Sequence, residues 1–244
     1  MARSTALIRR SLPNFSFPAT SADELCGWAA TLRHLLRPDK RNYTLPYLYA
    51  LPVKQTIPHT SGMFFITITC HRCIALIDKV NGYDIIYHWF DHLKSKGHFI
   101  NGYVLMPNHF HVIISFIDTI QSINNIIGDG KRFMAYEIIN RLEKSNETAY
   151  LEQLASNVES KRKENKELYE VWELSFDWSD CRGNKFTWQK IDYMHNNPCT
   201  GKWQLAVNPI EFIHSSAGFY LTGVQGNYPV TNFMQMEDID FNKR

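Results

Sequence analysis

Met106-Pro107-Asn108-His109-Phe110-His111-Val112-Ile113-Ile114 is the stretch on which the reading of this chain turns. A β-branched run follows two histidines separated by one large apolar residue. On a strand, successive side chains point to opposite faces. His109 and His111 therefore share one face, and Phe110 points the other way, into a core. Two imidazoles on one strand face are spaced to bind one divalent metal, on an element that Phe110 holds rigid. Ten histidines scattered at random over this length give roughly 0.4 matches to His-x-His, so the spacing alone decides nothing. A two-histidine site needs at least one more ligand from elsewhere.

A partner segment lies far downstream, at Gln189-Lys190-Ile191-Asp192-Tyr193-Met194-His195-Asn196-Asn197-Pro198. Ile191, Met194 and Trp188 recur at helical spacing, and Pro198 marks the end of the helix. Tyr193 and Asn197 are four apart and share a helix face. An amide oxygen is a reasonable hard ligand for a magnesium-type ion. Each segment also has a plain reading: two solvated histidines on a sheet, and a surface tyrosine with an asparagine that ends a helix.

Taken together the two segments resemble the one-tyrosine HUH transposases, most closely the REP-associated tyrosine transposases and their relatives in insertion sequences of the 200/605 type. His109-Phe110-His111 is the His, bulky hydrophobe, His motif. Met-Pro-Asn before it and Tyr193-Met194-His195-Asn196-Asn197-Pro198 after it are typical of that family, and Ser215-Ser216-Ala217 also looks like it. The resemblance spans about residues 60 to 235. It implies that His109, His111 and Asn197 hold Mg2+ or Mn2+ and that Tyr193 is the nucleophile. The products would be a 5′-phosphotyrosyl DNA and a free 3′-hydroxyl, and a later 3′-hydroxyl could rejoin the strands. Asn197 stands where the simplest relatives carry a glutamine, which shortens its reach. The implied partner is single-stranded DNA with hairpin ends. A homodimer that exchanges the tyrosine helix and a site built within one chain both stay open. So do two rival functions: a hairpin-DNA binder of transposase descent that no longer cuts, and a nuclease that uses water instead of Tyr193.

An unperturbed phenol has a pKa near 10 and needs help to attack phosphorus. Asp192 adjoins Tyr193 but does not face it, and His195 also lies off the Tyr193 face, placed to pack or to touch DNA. The sequence names no general base.

At 244 residues and 44% hydrophobic, the chain can bury one sizeable core. No apolar run reaches the length of a membrane span. Five irregularly spaced cysteines suggest reduced thiols in a cytosol-like compartment, and the resemblance implies a bacterial cytoplasm, on the nucleoid when bound to DNA. The formal net charge is only +2, so a DNA surface must be a local patch. Lys131, Arg132, Lys185, Lys190 and Lys202 are the candidates. Gly128-Asp129-Gly130-Lys131 lacks the P-loop spacing. Cys70-His71-Arg72-Cys73 is a lone CxxC that would need Cys181 or Cys199 to hold zinc. His88 and His92 lack the zincin glutamate. Trp178, Trp188, Trp203 and Tyr220 are candidates for stacking on bases or for the core.

The first 58 residues read as a basic, proline-interrupted extension with one short helix over 21–36, and 236–244 as a tail. Between them, 59–235 reads as one domain. Strands are expected at Phe64–His71, Ile100–Met106, His109–Phe116 and Val171–Leu174. Helices are expected at Gly82–Lys96, Ile120–Leu142, 149–168 (a charged insertion) and 184–197, with a short one near 213–219. That order fits an α+β fold: a ferredoxin-like antiparallel sheet with helices packed on one face, an HUH endonuclease-like core, and the histidines turned toward the tyrosine helix.

Overall fold

The computed structural model describes residues 56–156, 158 and 168–236. The readings of the N-terminal extension and its helix, most of the end of the charged insertion, and nearly all of the tail lie outside the described residues. Among the described residues, four strands form the sheet: β1 (Gly62–Thr69), β2 (Phe99–Leu105), β3 (His109–Phe116) and β4 (Asp177–Asp180). All neighbours are antiparallel, in the order β2-β3-β1-β4. Among the described residues the α-helices are α1 (Leu76–Lys79), α2 (Tyr83–Ser95), α3 (Ile123–Lys144), α4 (Thr148–Ser156), α5 (Asn184–Asn196) and α6 (Ala217–Thr222). With α2 between β1 and β2, and α3 between β3 and β4, this is the ferredoxin-like α+β topology. No helix among the described residues is long and apolar enough to cross a membrane.

Strand alternation sorts the side chains into two layers. Phe64, Ile66 and Ile68 of β1 and Phe110, Val112, Ile114 and Phe116 of β3 face the main core. Against them α2 packs Ile85, Ile86, Trp89, Phe90 and Leu93, and α3 packs Ile123, Ile127, Met134, Ile138 and Leu142. Those spacings of three and four make one apolar stripe per helix. Ser122 caps α3, its hydroxyl accepting from the Asn125 N–H at 3.2 Å. The opposite sheet face carries a smaller cluster, in which Phe65, Val104, Met106 and Ile113 meet Ile191 and Met194 of α5. The two ferredoxin-like helices thus share one face, and the tyrosine helix covers the other.

A bulge in β2 keeps both faces apolar. Ile100 pairs with Ile114, but Gly102 pairs with Ile113, so Asn101 is extra. Its amide is satisfied by the Ser115 hydroxyl at 2.6 Å and the Thr231 carbonyl at 3.1 Å. After the bulge the parity flips, so Ile100 and Tyr103 lie in the same core layer. The flip also turns Gly102 toward α5. A β-carbon there would lie 2.5 Å from Met194 Cε and 3.0 Å from Ile191 Cδ1, so glycine lets the helix seat closely.

One expected strand is misplaced. Val171 and Trp172 are buried, but Trp172 makes only an isolated bridge to Cys70. The fourth strand is Asp177–Asp180, a polar edge strand paired with β1. At the other edge, His214–Ser216 runs beside β2, with the Leu105 N–H donating to the His214 carbonyl and the Ser216 N–H to the Tyr103 carbonyl. That contact covers groups which an edge strand otherwise leaves open.

Gly130, read above only as a P-loop mismatch, has a packing role. A β-carbon on it would lie 2.2 Å from Trp89 Nε1, and Trp89 is itself buried. A β-carbon on Gly128, two residues earlier, would meet nothing within 4 Å. Gly130→Ala should overpack the α2–α3 contact by up to about 3 kcal/mol. Against that stands a helix-propensity gain of about 1 kcal/mol. Thermal unfolding should show a net loss of about 2 kcal/mol for Gly130→Ala and a gain of up to about 1 kcal/mol for Gly128→Ala. Equal effects from both would overturn this account of the helix packing.

Candidate metal and nucleophile site

His109 and His111 lie on β3 opposite Thr69 and Thr67 of β1, on the face that α5 covers. Their Nδ1 atoms are engaged. His109 Nδ1–H donates to Asn108 Oδ1 at 2.7 Å, and His111 Nδ1 and the Thr67 hydroxyl are 2.8 Å apart. Asn108 is in turn fixed by donating to the Cys73 carbonyl at 3.2 Å. Asn108 holds the His109 ring in the tautomer that leaves its Nε2 lone pair free, and the Thr67 hydroxyl, which can give or take a hydrogen, positions the His111 ring.

Both Nε2 atoms converge on one group, the side-chain amide of Asn197. Its Nδ2 lies 2.9 Å from His111 Nε2 and 3.4 Å from His109 Nε2. Asn197 opens the 3-10 turn that follows α5, where Pro198 stops the α-helix. Half a turn of the amide presents Oδ1 to the same point. Two neutral imidazoles and an amide oxygen meeting at one point suit a divalent cation. Burial, helped by the Lys202 charge, holds His109 down to about 4. His111 is held well below the usual imidazole value by burial, then by His109 and Lys190. Neither ring needs to lose a proton at neutral pH before it ligates.

Tyr193 completes the group within one chain. Its ring packs edge-on against His111 at 5.3 Å and Phe65 at 6.2 Å. Phe65 also stacks on His111 at 5.2 Å. Tyr193 is 50% exposed, so it faces both the histidines and solvent. Burial of its inner side raises its pKa above the ordinary phenol value.

The seat of α5 is a buried polar cluster. His195 Nε2 lies 2.8 Å from the Ser216 hydroxyl, which also accepts from the Tyr103 N–H at 2.9 Å. His195 packs, and burial lowers its pKa to about 4. Sequence reasoning singled out His109, His111, Tyr193 and Asn197, and the structure brings all four together. It missed Phe65 and Thr67, whose place depends on the β1–β3 register, and it left Asn108 and Ser216 without roles although both sit in quoted motifs.

The basic candidates divide. Lys190 sits one turn before Tyr193, its Nζ 4.8 Å over the Phe65 ring, and Lys202 Nζ lies 5.1 Å over the Trp203 ring. Lys185 is exposed in the first turn of α5. Lys131 and Arg132 are not brought to the site: they ride on α3, across the sheet. Lys131 Nζ donates to the Glu173 carbonyl at 2.6 Å, and Arg132 pairs with Asp129 at 3.0 Å.

The remaining motifs resolve structurally. Cys70 lies in the main core and Cys181 in the opposite cluster, so they share no zinc. Among the described residues, Cys70, Cys181 and Cys199 are free thiols. His88 and His92 are exposed on α2. Trp188 packs against Phe233 and Tyr220, and Trp178 against Phe64.

No protein-family model matches the chain, and no curated protein matches it. Several solved structures are similar to it, two of them described as transposases. One is a REP-associated tyrosine transposase bound to a REP hairpin, at 15% identity over 85% of this chain and 98% of that one, with a TM-score of 0.47. The other is a candidate transposase of Deinococcus radiodurans R1, at 13% identity over 65% of this chain and 97% of that one, with a TM-score of 0.32. Superpositions this loose carry no function across, and the site geometry stands by itself.

Proposed function

We propose that this chain is a transposase of the one-tyrosine HUH kind, which nicks and rejoins single-stranded DNA at hairpin ends. The observation that carries the reading is the meeting of two Nε2 lone pairs, the Asn197 amide and the Tyr193 ring across the β3–α5 contact. Mg2+ or Mn2+ held by His109, His111 and Asn197 would neutralise a non-bridging phosphate oxygen and fix the phosphate for in-line displacement.

Tyr193 supplies the nucleophile from a rigid helix. A bond forms between its oxygen and phosphorus, the bond from phosphorus to the 3′-oxygen breaks, the phenol loses its proton and the departing 3′-oxygen gains one. The bond count is unchanged, so a 3′-hydroxyl can reverse the step and join strands without an external energy source. Phe65 and His111 limit where the ring can swing, which shortens the search for a near-attack arrangement. Lys190 and Lys202 lie where a DNA backbone would pass.

The test is covalent capture. Single strands bearing imperfect hairpins, incubated with the protein in Mn2+, should give a denaturation-resistant protein–DNA adduct and a free 3′-hydroxyl product. Binding without adduct on every strand tried would favour a silent hairpin binder.

A further inference from the structure

We propose that the divalent metal and a DNA phosphate bind this site as a coupled pair, each weakly without the other, because the three ligands carry no charge and the Lys190 ammonium lies beside them. The inference rests on the proposed metal site and adds its order of assembly.

His109, His111 and Asn197 offer two neutral imidazoles and a neutral amide. Among the described residues, no Asp or Glu is among the charges acting on His109, His111 or Tyr193. A hard divalent ion is usually held by at least one carboxylate. Here it would keep its full charge.

The charged side chains that act on the two rings are cations, and Asp177, on the same sheet face opposite Thr67, lies one strand further from His111. Lys190 Nζ sits 4.8 Å over the Phe65 ring and 5.2 Å over Phe186. Phe65 stacks on His111, so at most about 10 Å separates that ammonium from the His111 ring. Lys202, over Trp203 at 5.1 Å, acts on His109 from the other segment. Neither lysine has an ion pair with a carboxylate among the described residues. Cations beside an uncharged ligand set repel a bare divalent ion. They attract a phosphodiester, which then supplies the missing negative charge. The surroundings therefore favour the pair over either member, and by linkage each must tighten the other by the same factor.

The test titrates Mn2+ into Tyr193→Phe protein, which cannot consume DNA, with and without a short oligothymidylate at low salt. Mn2+ should bind at least about tenfold more tightly with the strand present, and the strand should gain the same factor from Mn2+. Lys190→Met keeps an apolar stem over Phe65. It should strengthen Mn2+ binding to the free protein by about fourfold, as removal of one charge at this range in a water-like dielectric predicts. It should also shrink the DNA-dependent gain. Equal Mn2+ affinity with and without DNA, or weaker free-protein binding in Lys190→Met, overturns the coupling while leaving the metal site intact. Mn2+ binding that is undetectable in both conditions, or that is unchanged by His111→Ala, overturns the metal site itself.

Discussion

Tyr193→Phe is expected to abolish covalent capture of single-stranded DNA while leaving the fold and hairpin binding as they are. The phenylalanine ring keeps the edge-on contacts with His111 and Phe65. The hydroxyl it removes makes no hydrogen bond to any described residue, and the side chain is half exposed. Stability should therefore change by no more than about 0.5 kcal/mol, the range of surface substitutions. Loss of the nucleophile is a different scale of effect. Removing a covalent nucleophile from an enzyme that depends on it costs on the order of 10⁴-fold or more. Denaturing gels of the Mn2+ reaction read the adduct, and gel shift reads the binding. Cleavage that persists in Tyr193→Phe would assign attack to water and make the protein a nuclease.

The fold was legible wherever one face of an element is apolar. The alternation through His109–Phe116 and the helical spacing through Ile85–Leu93 predict both elements to within two residues. The pairing of Tyr193 with Asn197 across one turn needs only the helix period. The failures have a common physical cause: partners set by tertiary register leave no local trace. Val171 and Trp172 look like a strand because they are apolar, yet they are buried by packing in the main core. The true edge strand, Asp177-Trp178-Ser179-Asp180, is polar, as exposed edges tend to be, and so carries little hydrophobic signal. The bulge at Asn101 is invisible to a two-residue period, because it exists only against β3. Lys131 and Lys190 look equally plausible as DNA contacts in sequence, and only the side of the sheet separates them.

His111→Ala should remove divalent-metal binding, with a smaller effect on the fold. His111 is buried, and its ring is gripped on three sides by Thr67, Asn197 and Phe65. Alanine deletes one of the two nitrogen ligands of the proposed site and leaves the Thr67 hydroxyl and the Asn197 amide without that partner. Mutating an outer partner of a metal-binding histidine typically costs about 10–100-fold in affinity, so deleting the histidine should cost more. Metal that binds only the folded state stabilises it by about 2.7 kcal/mol at about a hundredfold excess over its Kd. For a domain of this size that corresponds to a rise in Tm of about 5–10 °C in the wild type, and His111→Ala should show none of it. Thr67→Val provides the graded comparison. It keeps His111 but removes the hydroxyl that positions its ring, so the metal-dependent rise should be reduced and recoverable at higher Mn2+. A Thr67→Val protein indistinguishable from wild type would show that the β1 hydroxyl does not set the ring. A His111→Ala protein that still gained the full rise would show that the ion sits somewhere other than between β3 and α5.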